Sequence, residues 1–143
     1  MKPRFPKSPF ERTRDLVYFA RMLDKIRLKR EGGLPKEYEQ MLGGGFDGRC
    51  CRFLRVDYAK LCERVAEGGS DDEIFAWACL EGREPNAEEI LVWNKFMLKR
   101  GLRDEDDGST QDLQGYKEES GLGGRDDLVT FFDYYEVDEG RAE

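Results

Sequence analysis

Glycine cuts this chain into short lengths. Gly32-Gly33, Gly43-Gly44-Gly45, Gly68-Gly69, Gly101, Gly121 and Gly123-Gly124 recur along 143 residues, with apolar side chains at helical spacing between them. Glycine readily takes the left-handed conformation that closes a helix, so the pattern predicts many short helices. Capping residues agree with it. The sequence predicts a first helix over Thr13–Arg30, then a short one over Lys36–Leu42 opened by Pro35, then Phe46–Leu54. Asp57 caps a helix through Ala66, the Ser70/Glu73 box starts one through Leu80, and Asn86 starts one that runs to Arg100. Ser109 caps a helix to about Ser120, and a last element covers Asp126 to about Val137. In that element Leu128, Phe131, Phe132 and Tyr135 fall at i, i+3, i+4 and i+7, which favours helix. Its β-branched and aromatic composition also suits a strand. The expected fold is all-α: one compact domain over residues 13–140 of about seven helices, with no internal repeat, preceded by an extended arm over residues 1–12.

In that arm Pro3, Pro6 and Pro9 are spaced by three among Lys2, Arg4 and Lys7. Three residues is the period of a polyproline II helix, a form that docks into aromatic-lined grooves. The simpler reading is an arm whose Phe5 and Phe10 lie on their own domain.

Net charge is −7, yet residues 1–60 carry 15 Lys/Arg against 8 Asp/Glu, while residues 61–143 carry 9 against 23. The plain consequence is pairing between the two halves; an interaction surface is the other reading. A sequence pI near 4.9 with a modest basic footprint makes nucleic acid an improbable partner. No apolar run approaches membrane-spanning length, so no membrane association is expected. The chain holds no histidine, which removes imidazole from acid–base, nucleophilic and zinc chemistry. The N-terminal stretch lacks the apolar centre of a signal peptide, and Cys50, Cys51, Cys62 and Cys79 include no CxxC. A reduced, cytoplasmic protein is expected.

The stretches LVYFARMLDKIRLKREGGLP, FDGRCCRFLRVDYAKLCERV, SDDEIFAWAC, EEILVWNKFMLKRGLRDE and RDDLVTFFDYYEVDEGR occur in that order and cover almost the whole chain. In these blocks it resembles the bacterial domain-of-unknown-function 5069 family. The resemblance implies a small helical bacterial protein and brings neither an activity nor catalytic residues.

On the first helix Leu16, Phe19, Ala20 and Leu23 form an apolar stripe, with Arg27 on its centre and Asp24 on its flank. A charge on a buried face must be paired or reach solvent. Either Asp24 and Arg27 pair at i, i+3, or the Arg27 head snorkels, or Arg27 floors a pocket for a carboxylate or phosphate. Asn94 shares the stripe of Ile90, Trp93 and Met97, where a buried amide needs a neighbouring partner. Arg49-Cys50-Cys51-Arg52, with Arg55 a turn later, looks reactive because nearby cations lower a thiol pKa. The glycines before it suggest amides turned toward an anion. Against reactivity stand the missing histidine base and the strong tendency of free cysteine to be buried.

No metal or other cofactor is expected. The cysteine spacing fits no zinc pattern, and an EF-hand loop begun at Asp104 fails at Gly108 and Gly115. The cluster Asp126, Asp127, Asp133, Glu136, Asp138 and Glu139 reads as a solvated acidic face. The functional expectation is a noncatalytic binding or interaction protein with a protein partner. The alternative is a small enzyme or ligand-binding protein that holds a small anion among Arg27, Arg49 and Arg52.

Overall fold

A computed structural model describes residues 2–143 of the chain, and it is helical. Among the described residues there are seven α-helices, two short 3-10 helices and a two-stranded hairpin. The residues form two compact units, 1–91 and 92–143.

The first unit begins with an arm that lacks regular structure as far as Glu11. A hairpin of β1 (Arg12–Thr13) and β2 (Leu16–Val17) follows, pairing Arg12 with Val17 and Thr13 with Leu16. The expected helix start at Thr13 is therefore corrected. Arg14 and Asp15, at φ 46° and 72°, form a two-residue turn whose conformation normally favours Asn-Gly, so the hairpin carries no obvious sequence signal. Tyr18, at φ 77°, ends the strand, and α1 runs from Phe19 to Glu31. Gly32, also at φ 79°, closes α1, with the Gly33 amide donating to Leu28 O at 2.8 Å.

Residues Lys36–Met41 form a 3-10 helix where the sequence predicts a short helix over Lys36–Leu42. Then come α2 (Gly45–Leu54), α3 (Tyr58–Ala66) and α4 (Asp71–Glu81). Asp57 caps α3 by accepting the Lys60 amide, and Ser70 and Glu73 form the expected reciprocal box on α4. The start of α5 (Ala87–Lys99) is capped in the same reciprocal way by Asn86 and Glu89. Helix α1 packs on α3 and on β1, while α3 also packs on α2 and α4. Every residue of α1 from Phe19 to Ile26 is buried, which makes α1 the central helix of this unit. Its Phe19 ring meets Phe75 of α4 edge-on at 5.2 Å.

The second unit contains most of α5, then α6 (Ser109–Glu119) and α7 (Phe131–Asp138). Gly108, at φ 83°, precedes α6, so Ser109 is its first helical residue rather than its cap. Asp104 accepts the Gly101 amide at 2.7 Å, and the Thr110 hydroxyl donates to Gly101 O at 2.7 Å, which fixes the α5–α6 turn. The last helix starts at Phe131, five residues later than expected, because the Thr130 hydroxyl caps it by accepting the Asp133 amide. Buried Lys117 donates to Leu128 O at 3.2 Å, and Tyr134 donates to Tyr116 O at 3.2 Å, so both rims of this small core are satisfied.

Candidate functional site

A helix buried on all sides must find a partner for every charge it carries. Helix α1 does so with partners in three segments, the arm, α2 and α4. Lys25, 6% exposed, donates to both oxygens of Asp47 at 3.1 and 3.0 Å. Asp47, 0% exposed, also accepts the Tyr18 hydroxyl at 2.7 Å and the Gly43 amide at 3.2 Å. The carboxylate sits in the first turn of α2, where the helix dipole favours a negative charge. Tyr18 is fixed further by its amide donating to Pro9 O and by edge contact with Phe46 at 5.7 Å. Those contacts hold its backbone in a conformation that side-chain-bearing residues seldom adopt.

Cys50 and Cys51 lie one turn after Asp47, on its face of α2, and Leu54 follows another turn later. All four cysteines are free. Of the two readings of this stretch, burial rather than activation by the flanking arginines governs both thiols. Burial pushes the Cys50 thiol far up, with Cys51 and Asp47 adding to it. Burial, then Asp47, pushes Cys51 up to about 12, and Arg52 opposes this only weakly. Tyr58 is raised by burial and then by Asp47, and Cys62 is raised mainly by burial.

These raised groups predict alkaline sensitivity. A folded-state pKa above the unfolded value means that the folded chain holds its proton longer. The stability linked to that proton is full below roughly pH 8.5, the free-thiol range, and is lost as pH rises toward the folded value. For Cys51 that window ends near 12. Urea midpoints should be level through neutral pH and fall steadily above about pH 9. Maleimide should leave Cys50 and Cys51 unmodified in the native protein at pH 7.5 and label them in urea; rapid native labelling would show an opening that this packing does not contain.

Asp24 and Arg27 do not pair with each other. Asp24, on buried α1, accepts two hydrogen bonds from the Arg4 guanidinium at 2.9 and 3.0 Å and one from the Lys7 amide at 2.9 Å. Arg27 instead donates to Asp71 at 2.6 Å and to Gly69 O at 3.4 Å. Both members of the expected i, i+3 pair are captured by segments distant in sequence, and the bidentate Arg4 fork is the stronger geometry. Replacing Arg27 by Met therefore leaves Asp71, not Asp24, short of a partner. Asp24→Ala should free the arm and leave the Lys7 amide without its acceptor, at a cost of roughly 1–3 kcal/mol. Limited trypsin digestion should then cut after Arg4 and Lys7 several-fold faster than in wild type, and unchanged rates would mean that the arm is held by something else.

The remaining expected positions are dispersed. Arg49 is half-buried and Arg52 exposed on α2, whereas Arg27 is held at the N-terminus of α4 by Asp71. Asn94 is buried on α5 beside Trp93, on the stripe expected of it. Tyr18, Lys25 and Asp47 were not singled out from sequence. Their signal was the apolar density around Lys25 and the Asp47, Cys50, Cys51, Leu54 spacing, which places a carboxylate on a buried face. Among the described residues the one buried side-chain polar atom without a hydrogen-bond partner is Thr13 Oγ1.

Among the described residues no group of three His, Cys, Asp or Glu side chains is arranged to hold a metal ion. No helix among them is long and apolar enough to cross a membrane. A search of curated proteins finds no match to the chain. A family model does match, over residues 3–141, and it spans the arm, the α1 network and both compact units. The chain therefore belongs to the DUF5069 family, a domain of unknown function.

Proposed function

We propose that the protein is a noncatalytic protein-binding module that works in a reducing compartment, the cytoplasm. The observation that carries this reading is on α5. Val92 is 59% exposed and Phe96 38% exposed, one turn apart, on the flank of the helix about 100° round from buried Trp93 and Met97. Two large apolar side chains adjacent on an exposed helix face are a feature of protein contact surfaces. The buried charges of α1 give no competing support to catalysis, because each is engaged within the chain and the neighbouring thiols are held protonated. The anion-binding alternative has less behind it, since Arg27 is already paired with Asp71.

The test is site-specific photocrosslinking in cells from an unnatural amino acid at position 92. A discrete protein adduct that disappears with Phe96→Glu, in a variant with unchanged circular dichroism, supports the reading. A thermal shift with phosphate or citrate that Arg49→Ala/Arg52→Ala abolishes, with no adduct from position 92, would replace it by the anion-binding alternative.

A further inference from the structure

The N-terminal arm sits on the first unit with a three-residue period. Pro6 and Pro9 are buried, while Lys2, Pro3, Arg4 and Phe5 are exposed. Arg4 and Lys7, also three apart, face two carboxylates: Arg4 grips Asp24, and the Lys7 ammonium lies 3.2 Å from Asp71. One edge of the arm is thus proline and buried, and the next edge is cationic and paired with acid. That is the side-chain arrangement of a polyproline II segment laid along a surface.

The seat also reads the backbone. Asp24 accepts the Lys7 amide at 2.9 Å, Arg21 donates to Lys7 O at 3.0 Å, and Gly33 O accepts the Arg4 amide at 3.0 Å. Tyr38 completes it: its ring lies 6.3 Å from that of Phe5 and 6.0 Å from the Arg21 guanidinium. A carboxylate that clamps an arginine two residues before a Pro-x-x-Pro, next to an aromatic ring, is a recognition chemistry for proline-spaced peptides. Here the chain supplies both the seat and the peptide, Arg4-Phe5-Pro6-Lys7-Ser8-Pro9.

We infer that the surface formed by Arg21, Asp24, Tyr38 and Asp71 is a binding site for an extended Arg-x-Pro-x-x-Pro segment of another protein, and that the arm occupies it as an intramolecular competitor. The hold on the arm is suited to release. The Arg4 side chain is 53% exposed, so its ion pair is weakened by solvent and salt. Tethering supplies the arm at an effective concentration on the order of millimolar, and an outside segment must overcome that advantage. The surface shares no residue with the exposed face of α5, so either reading can fail without the other.

The experiment uses the full chain and a fluorescein-labelled synthetic peptide of residues 2–11. In Arg4→Glu/Lys7→Glu the arm is repelled by Asp24 and Asp71, and the peptide should bind at least about ten-fold more tightly than to wild type. Adding Asp24→Asn to that variant should abolish the gain. A peptide with its arginine replaced by Glu, or with its second and third prolines replaced by Ala, should not bind. If the opened variant is poorly folded, wild type with millimolar peptide gives the same answer, through loss of hydrogen-exchange protection at the Lys7 amide. The inference is overturned if neither chain responds to the peptide, or if the altered peptides bind equally well. It is also overturned if wild type instead forms a concentration-dependent dimer that Asp24→Asn abolishes, which would make a second copy's arm the occupant.

Discussion

Gly82→Ala should be among the most damaging single substitutions in this protein, lowering stability by about 3 kcal/mol or more. A Cβ at position 82 would lie 2.0 Å from Leu54 O, 2.6 Å from Arg55 O and 2.8 Å from the Arg55 carbonyl carbon. All three are backbone atoms, so no side chain can swing aside. The end of α4 crosses the end of α2 at this point. The crossing is tied by the Arg83 amide donating to Leu54 O at 3.0 Å and by the Arg83 side chain donating to Phe53 O at 2.7 Å. The same guanidinium lies 4.5 Å from the centre of the Phe53 ring and is paired with Glu89. The φ of Gly82 is −108°, so the requirement is space and not left-handed backbone. Gly68→Ala provides the contrast: φ is +86° with nothing within 4 Å of a new Cβ, and roughly 1–2 kcal/mol is expected from the backbone alone. Urea unfolding of both variants checks this, and equal losses would show that the α2–α4 crossing is looser than its geometry.

The second large effect lies in the Lys25–Asp47 pair. Lys25→Met strands a carboxylate that is fully buried, and breaking such a pair costs about 3–5 kcal/mol. Asp47 would keep only the Tyr18 hydroxyl and the Gly43 amide. Combining Lys25→Met with Asp47→Asn removes both charges and keeps an acceptor for those two donors. At least half of the loss should return, because a neutral amide is far less costly to bury than an unpaired carboxylate. A double-mutant cycle in urea measures the coupling. Additive losses would mean that water reaches the pair and screens it.

Much of this fold was legible because helix ends are written locally. Asp57, Ser70 with Glu73, and Asn86 with Glu89 each cap the helix their spacing announces. The misreadings share one cause. Arg14-Asp15 turns the chain without turn-forming residues, and Tyr18 adopts a positive φ under tertiary constraint, so five residues of apparent helix became a hairpin. Asp126–Val129 resembles helix in pattern, but Thr130 has the better cap and starts α7 later. The buried network was hidden for a related reason. A periodic stripe describes a helix with one buried face, whereas α1 is buried all round from Phe19 to Ile26, and the partners of its charges lie in the arm, α2 and α4. Spacing within a helix suggested Asp24 with Arg27, while long-range geometry gave each of them a different partner.

The seating of the arm has a consequence for how the chain is made. Residues 2–11 leave the ribosome ahead of every group that holds them: Arg21 and Asp24, then Gly33 and Tyr38, and finally Asp71. At roughly 5–20 residues per second the arm emerges several seconds ahead of its last partner. Through that interval its cations and prolines are open to anything in the surroundings that can bind them. The nascent chain therefore passes through a stage in which the ribosome surface, a chaperone or a neighbouring polypeptide meets the arm before its own fold does.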